Sequence, residues 1–515
     1  MSEYAPSLVY LVGAGPGDPG LLTLRAVECL QRADVIIYDK LVSPRIMDLA
    51  RPDSKRISVE HLPGEHPQRW PQIQSAMIEN AKAGRIVVRL KGGDPFIFGR
   101  GGEEAEVLRD AGIPYEVVPG VTSAVAASAY AELPLTQRVH ASAVALITGH
   151  ENPTKPEISL DWSALAKFPG TLAIYMGMAR LDLIVQVLLQ HGKPPDTPAA
   201  VVQLASTGMQ QTRTTTLVSL AEMVRAEGLM PPAIILIGSI VTLRPQRSWF
   251  ENRPLFGQRV LVTRPRHQAA QMTRQLEELG AIVYSLPAVE IVDPPDWSPV
   301  DSAIQQLQQF DWIVFTSSNG VEKFMSRLIH LGLDSRRLSS SKIAAIGPST
   351  ADALRRYYLQ PDLMPDVFRS EELAAAIRSE AAGKRVLLVR ADRGRDVLAS
   401  ELSPVADVRQ IAVYSQLDSV DPECKALRAL SRGEIRYVTF TSGNIARAVL
   451  RKLDETSLMR IRQGTVKIVT ISPVTSAAVR EFDVDVAAEA RTYTVAGIIE
   501  AIVELHRHSA EVMSQ

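Results

Sequence analysis

The chain is poor in cysteine, with only Cys29 and Cys424 in 515 residues. Two thiols exclude a disulfide framework and a cysteine-rich metal centre, and no metal site is expected. Neither charge sign is in excess: 56 Lys and Arg balance 57 Asp and Glu, a formal net charge of -1. There is then no global basic field to draw in nucleic acid. Long hydrophobic runs are missing too; Ala233 to Val241 is too short to cross a bilayer. Met1 to Pro6 lacks a basic stretch ahead of an apolar one, so it does not read as a signal peptide. These absences leave a soluble, cytoplasmic protein acting on small molecules, with no nucleic-acid or membrane partner.

What is present is 46% hydrophobic residues, enough for several ordinary cores at this length. Short apolar runs alternate with amphipathic stretches from end to end. Leu8 to Val12 reads as a strand, Leu21 to Ala33 as a helix and Val35 to Tyr38 as the next strand. Such alternation predicts an α/β protein with largely parallel sheets. Around Leu243 to Pro254, prolines and mixed charges interrupt the pattern. The expected division is a first domain over 1–247 (lobes 1–117 and 118–247), a linker over 248–256 and a second domain over 257–515.

The second half repeats itself. Phe315-Thr316-Ser317-Ser318-Asn319 recurs as Phe440-Thr441-Ser442-Gly443-Asn444. Ile346 to Thr350 recurs as Ile471 to Thr475, and Val260 to Arg264 as Val386 to Arg390, at offsets of 125, 125 and 126 residues. Each pair is an apolar strand, a small polar turn and a helix, so this half is expected to hold two similar α/β lobes. Links at Ile291 to Pro295 and Gln416 to Pro422 would carry the chain across and back. One lobe would then comprise 257–292 plus 417–515, and the other 293–416.

Two glycine-rich loops follow strands in the first half. Gly13-Ala14-Gly15-Pro16-Gly17-Asp18-Pro19-Gly20 superficially suggests a dinucleotide fingerprint, but Asp18 stands where the last glycine is needed. Pro16 also removes a backbone donor that a phosphate would use. That disfavours a nicotinamide oxidoreductase. The second loop, Lys91-Gly92-Gly93-Asp94-Pro95-Phe96-Ile97-Phe98-Gly99-Arg100-Gly101-Gly102-Glu103-Glu104, follows the run Ile86-Val87-Val88. Loops at strand ends of open α/β sheets are where small ligands bind, and two of them can share one cleft.

Together with Tyr38 to Ser43, Val118 to Ala124, Pro134-Leu135-Thr136 and Thr148-Gly149-His150, these loops resemble the uroporphyrinogen-III C-methyltransferases over about the first 245 residues. The resemblance implies a two-lobed tetrapyrrole methyltransferase fold, distinct from the nucleotide-fold methyltransferases. It implies S-adenosyl-L-methionine in a cleft between the lobes, and a homodimer formed through this half. Pro16, Gly92, Gly93, Asp94, Ile97, Thr122, Ser123 and Met176 match cofactor-contacting positions, and Ala205 takes one that is often glycine. Glycines admit backbone groups to the ligand, Asp94 offers acceptors and Met176 an apolar wall. Asp39 matches the proposed base. The chain departs from the family over Val59 to Gln74. His61 stands for a lysine, Glu60 for a glycine, Trp70 for a glutamine and Gln74 for an asparagine. An imidazole can serve as a general acid near neutral pH, without the fixed charge of lysine.

The second half resembles uroporphyrinogen-III synthase over about 257–510, through the duplicated motifs and Val413-Tyr414. This implies a cofactor-free, two-lobed enzyme joined by a two-stranded connector. It closes hydroxymethylbilane with loss of water and inversion of ring D. Helices opened by Thr316, Ser317, Thr350, Ser442 and Thr475 offer backbone N–H groups to the substrate carboxylates. Arg264 and Arg390 lie at equivalent strand ends, where they can pair with the same groups. Tyr414 matches a tyrosine proposed to assist hydroxyl departure; Ser472 replaces a turn glycine.

The combined expectation is a bifunctional tetrapyrrole enzyme. Its second half makes uroporphyrinogen III, and its first half methylates that product at C-2 and C-7 to precorrin-2, toward sirohaem or cobalamin. The alternatives are methylation of another precorrin, or a non-catalytic tetrapyrrole or cofactor sensor.

Overall fold

The computed structural model describes residues 8–62, 69–150, 160–394 and 396–514. Pro63, Gly64, Glu65 and His66 of the departing segment, and Met1 to Pro6, lie outside them. The chain divides into two compact units, Met1–Gly257 and Gln258–Gln515.

The first unit begins with β1 (Val9–Gly13), β2 (Val35–Tyr38), β3 (Lys55–Ser58), β4 (Val87–Lys91) and β5 (Tyr115–Val118). They form one sheet in the order β3-β2-β4-β1-β5, and every pairing is parallel. Both faces are covered: Tyr10 and Val12 pack into one core, Val9 and Leu11 into the other. A parallel sheet clad on both sides needs such unbroken apolar strands. Each strand hands its chain to a helix; Thr23 caps Leu24–Arg32 by accepting from the Ala26 N–H.

The second sheet of this unit differs from the expected parallel arrangement. It holds β6 (Val144–Thr148), β7 (Thr171–Tyr175), β8 (Pro198–Gln203), β9 (Gln211–Thr216) and β10 (Ala233–Ile237) in the order β6-β7-β10-β8-β9. Only β6–β7 is parallel; β7–β10, β10–β8 and β8–β9 are antiparallel. The reason is local. The chain reverses from β8 to β9 through the short link 204–210 with no crossover helix, so direction alternates.

The segment read as a linker is instead folded onto the first unit. Phe250 and Leu255 are buried, Phe250 packs on Tyr130 at 4.8 Å, and Trp249 donates its N–H groups to Glu132 and the Ala129 carbonyl. Prolines and mixed charge gave it the look of a spacer, but its two adjacent aromatics fasten it down.

The second unit contains β11 (Arg259–Val262), β12 (Ile282–Ser285), β13 (Val289–Val292), β14 (Trp312–Phe315), β15 (Lys342–Ala345), β16 (Arg385–Ala391), β17 (Asp407–Asp418), β18 (Tyr437–Phe440), β19 (Lys467–Thr470) and β20 (Ala488–Glu489). One sheet, in the order β12-β11-β18-β19-β20, is parallel throughout and gathers strands from both ends of the unit; we call its lobe the terminal lobe. The other runs β13-β17-β16-β14-β15 and forms the inner lobe. The long β17 pairs with β16 through Asp407–Tyr414 and then, antiparallel, with β13 through Ser415–Asp418. The β13–β17 ribbon therefore carries the chain out of the terminal lobe and back.

Candidate active sites

In the first unit, three strand ends meet through their backbones. Gly15 and Gly93 exchange N–H···O bonds of 3.1 and 2.8 Å, and the Ala14 N–H donates to Lys91 O at 2.7 Å. A Cβ on Gly120 would lie 2.2 Å from Gly93 O, and one on Gly13 would lie 2.6 Å from Gly120 Cα. These glycines serve the approach of loop to loop. Asp94 locks the junction, one carboxylate oxygen accepting from the Phe96 N–H (2.8 Å) and the other from the Gly120 N–H (3.0 Å). Gly92 is the open member of its pair, with only Leu41 near its would-be Cβ.

The two sheets of this unit face each other across these loops. Thr122 Oγ1 lies 2.8 Å from Tyr175 Oη, which also accepts from the Ala124 N–H. The next residue, Met176, adopts φ 53° and leaves its side chain 51% exposed. Phe98 stacks on Tyr175 at 4.9 Å, and Ile97 packs on the core that contains Tyr175 and Ala205. On the same edge Ala205 is buried, and Thr207 Cγ2 is 2.8 Å from where a Gly17 Cβ would be. Pro16, Gly92–Asp94, Ile97, Thr122, Ser123, Met176 and Ala205 thus gather at the facing ends of β1, β4, β5, β7 and β8.

Asp18, which breaks the dinucleotide pattern, is a staple. Its carboxylate accepts from the Gly20 N–H (2.7 Å) and the Tyr130 hydroxyl (2.7 Å), and its own N–H donates to Ser206 Oγ (3.3 Å). The Ser206 N–H donates to Gln210 Oε1. The Gln210 amide donates to Glu251, which Arg244 holds with two hydrogen bonds. The supposed linker therefore buttresses the Ala205 loop. Nothing in the spacing of these residues signals the chain of contacts.

Asp39 stands at the end of β2 on a buried set of charges. Arg89 Nη2 donates to its Oδ1, Arg89 Nε to Glu104 Oε1 (2.8 Å) and Lys91 Nζ to Glu104 Oε1 (3.0 Å), while Lys91 Nζ lies 3.8 Å from Asp39 Oδ2. Arg89, Lys91 and Glu104 are 2, 3 and 0% exposed. Burial opposes the Arg89 charge, yet Asp39 and Glu104 more than offset it and the guanidinium is held above its ordinary range. Burial, reinforced by Arg89, pulls the Lys91 ammonium below its own. Asp39 itself is about a third exposed.

His61 is exposed on the short turn Val59–His61 after β3, the strand beside β2. It shares the sheet edge with Asp39, but no hydrogen bond joins the two among the described residues. Glu60 pairs with Lys40 at 2.9 Å. Trp70 lies under the Arg100 guanidinium at 3.9 Å, so that departure is absorbed by the glycine-rich loop itself.

In the second unit, Tyr414 and Ser317, 97 residues apart, come together at 3.0 Å. Burial pushes the Tyr414 phenol up, against hydrogen bonds from Ser317, Gln416 and Asn319. Arg264 donates to Gln268 (3.1 Å), and Gln268 donates to Asn319 (2.7 Å) across the lobes. Arg264 Nε is buried without a partner, burial works against its charge, and no carboxylate pairs with it among the described residues. Arg390 is already engaged by Asp396 (2.7 Å) and Gln410 (2.8 Å). Ser317 and Ser442 cap their helices through the Gly320 and Ile445 N–H groups. Thr316 donates to Val389 O, and Thr350 and Thr475 are buried at 1 and 2% exposure. Ser317 and Ser442 thus cap the helices they open, and Thr350 and Thr475 lie in the first turns of theirs.

Known proteins match both units. A family model described as Tetrapyrrole (Corrin/Porphyrin) Methylases matches residues 8–221, and one described as Uroporphyrinogen-III synthase HemD matches 270–500. The Porphyrin biosynthesis protein HemD of Ruminiclostridium josui is 35% identical over 452 residues, 87% of this chain and 90% of that protein. The chain belongs to the fused tetrapyrrole methylase and uroporphyrinogen-III synthase family. The Uroporphyrinogen-III C-methyltransferase of Bacillus subtilis is 38% identical over 364 residues, 70% of this chain and 74% of that protein. The Siroheme synthase of Pseudomonas fluorescens is 48% identical over 249 residues, 48% of this chain and 53% of that protein. The chain is accordingly an enzyme of tetrapyrrole biosynthesis, with a methyltransferase unit followed by a synthase unit. Among the described residues, no helix is long and apolar enough to cross a membrane, and no acidic, histidine and cysteine cluster could hold a metal ion.

Proposed function

We propose that the second unit cyclises hydroxymethylbilane to uroporphyrinogen III and that the first methylates that product at C-2 and C-7 to precorrin-2, on the sirohaem branch. We further propose the two units, Met1–Gly257 and Gln258–Gln515, as the two functional domains, a cytoplasmic location and a homodimer formed through the methyltransferase half. What supports the reading is the junction of the glycine loops at Gly15, Gly93 and Gly120, the Thr122–Tyr175 contact beside it, and Asp39 held by Arg89 at the end of the neighbouring strand.

The cleft suits S-adenosyl-L-methionine. Exposed Met176, Phe98 and Leu41 offer apolar contacts, and Gly92 leaves room for backbone to meet a ligand. When bound, that cofactor supplies a methyl carbon made electrophilic by its sulfonium. The residues here orient the acceptor ring and exclude water, the terms that dominate such a transfer. Asp39, fixed from behind by Arg89, takes the proton that leaves the methylated ring carbon. His61 offers a proton or a hydrogen bond to the acceptor from the neighbouring strand end. In the synthase unit, the raised phenol of Tyr414 stays protonated at neutral pH and donates toward the departing hydroxyl. Arg264, lacking an acidic partner among the described residues, receives a substrate carboxylate.

Chromatographic separation of the cyclised isomers, followed by mass analysis of the products from hydroxymethylbilane, tests the reading. Uroporphyrinogen III is expected without S-adenosyl-L-methionine, and a gain of two methyl groups with it. Failure to cyclise removes the synthase assignment; cyclisation without methyl gain removes the acceptor assignment.

The staple from Tyr130 to Asp18 yields a milder expectation. Tyr130→Phe removes one hydrogen bond to a charged group but keeps the packing on Trp249 and Phe250. The Kd for S-adenosyl-L-methionine should rise about five-fold or more, with cyclisation unchanged. Titration calorimetry measures the first and a product assay the second; an unaltered Kd would show that Asp18 holds the loop without Tyr130.

A further inference from the structure

A cavity of about 280 Å³ lies between the lobes of the second unit. The inner lobe contributes Phe368 and Arg369, and the terminal lobe contributes Ser442, Ser472, Thr475 and Tyr493. Arg369 is the one charged side chain lining it among the described residues. Its Nη2 donates to the Tyr493 hydroxyl at 3.0 Å, its guanidinium carbon lies 5.4 Å from the centre of the Tyr493 ring, and its Nε is buried with no acceptor. No carboxylate pairs with it among the described residues. Glu371 and Glu372, in the first turn of the helix that Arg369 precedes, do not line the cavity.

An arginine aimed into a cavity, with one face spent on a neutral phenol and a second N–H unmet, is poised for an anion. A guanidinium binds a carboxylate through two parallel hydrogen bonds, which a tyrosine hydroxyl cannot supply. Its surroundings have the same polarity. The helices Gly443–Leu450 and Pro473–Arg480 open onto the cavity, with Ser442 and Ser472 as their caps, and helix N-termini favour negative charge.

We propose that Arg369 anchors one carboxylate side chain of the linear tetrapyrrole, and that this carboxylate displaces Tyr493. The Arg369–Tyr493 contact joins the two lobes in the free protein, so substrate exchanges an inter-lobe latch for a bond to itself. The assignment rests on the synthase reading of this unit, and it names a residue that the sequence motifs do not.

The test uses the full chain, hydroxymethylbilane as substrate, and Arg369→Gln, Arg369→Lys and Tyr493→Phe variants. Arg369→Gln is expected to raise KM about ten-fold or more, the worth of a hydrogen bond to a charged group, with a smaller change in kcat. Arg369→Lys should recover part of that loss, because it restores charge but not the two-pronged geometry. Tyr493→Phe should lower KM, since the competitor for Arg369 is gone. Methylation of added uroporphyrinogen III by the other unit controls for folding of the chain. An Arg369→Gln enzyme with unchanged KM overturns the anchor, and a raised KM in Tyr493→Phe overturns the latch. If Arg369→Gln does not fold, the Lys and Phe variants decide by the same signs. Wild-type chain that fails to cyclise hydroxymethylbilane overturns the synthase reading itself, whereas turnover that ignores Arg369 overturns only this inference.

Discussion

Gly120→Ala should abolish S-adenosyl-L-methionine binding and lower methylation at least about 100-fold, with cyclisation by the second unit intact. The added methyl would sit 2.2 Å from Gly93 O, 2.8 Å from Gly13 Cα and 2.9 Å from Gly13 C, far inside any real contact, and all three atoms are backbone. None can turn away as a side chain would, so the Gly93 strand end must move. That movement breaks the Gly15–Gly93 bridge and the bond from the Gly120 N–H to Asp94. A shift of about 1 Å at a positioning element is enough for a loss of this size. Gly102→Ala is the matched control, because nothing lies within 4 Å of its would-be Cβ and alanine favours the helix that contains it. Calorimetric titration of the cofactor and product analysis on both substrates would settle the matter. A Gly120→Ala enzyme that binds cofactor normally would mean that the junction yields without cost.

The glycine clusters after β1 and β4 were legible as ligand loops because glycine after an apolar strand admits close backbone approach. Their division of labour was not. Gly13, Gly93 and Gly120 are far apart in sequence, and only their meeting shows that they serve each other first. Asp94 read as an acceptor for ligand, yet both of its oxygens already take backbone N–H groups. In the second half, the duplicated Thr-Ser motifs marked helix starts correctly, since capping is a local rule. Arg264 and Arg390 looked equivalent by register; Asp396 and Gln410, which occupy only the second, come from sequence near Arg390 alone. Arg369 and Tyr493, 124 residues apart, carry no motif at all. The alternation of direction in the second sheet was hidden because strand runs look alike whichever way they are paired.

The charge cluster beneath Asp39 was the feature least visible in sequence. Arg89 and Lys91 lie in a strand buried along its whole length, and Glu104 is 15 and 13 residues away from them, on the covering helix Gly101–Asp110. Replacing Glu104 by glutamine should destabilise the first unit by about 3–5 kcal/mol, the cost of leaving a buried cation without its partner. For a unit of this size the corresponding calorimetric transition should fall by about 10 °C. The second unit's transition should stay in place, and methylation should fall as Asp39 loses its support. The pH dependence separates this mechanism from a packing defect. Lys91 already has its folded-state pKa pulled down by burial and Arg89, and losing Glu104 pulls it lower. With the folded pKa below the unfolded one, the unfolded chain binds more protons between the two values, so stability rises with pH across that window. In the variant the window opens at lower pH, because Lys91 can discharge sooner. The deficit relative to the parent should therefore narrow as pH is raised from neutrality. A deficit that stays constant with pH would assign the loss to packing, and no deficit at all would mean that Glu104 is not needed to balance Arg89 and Lys91.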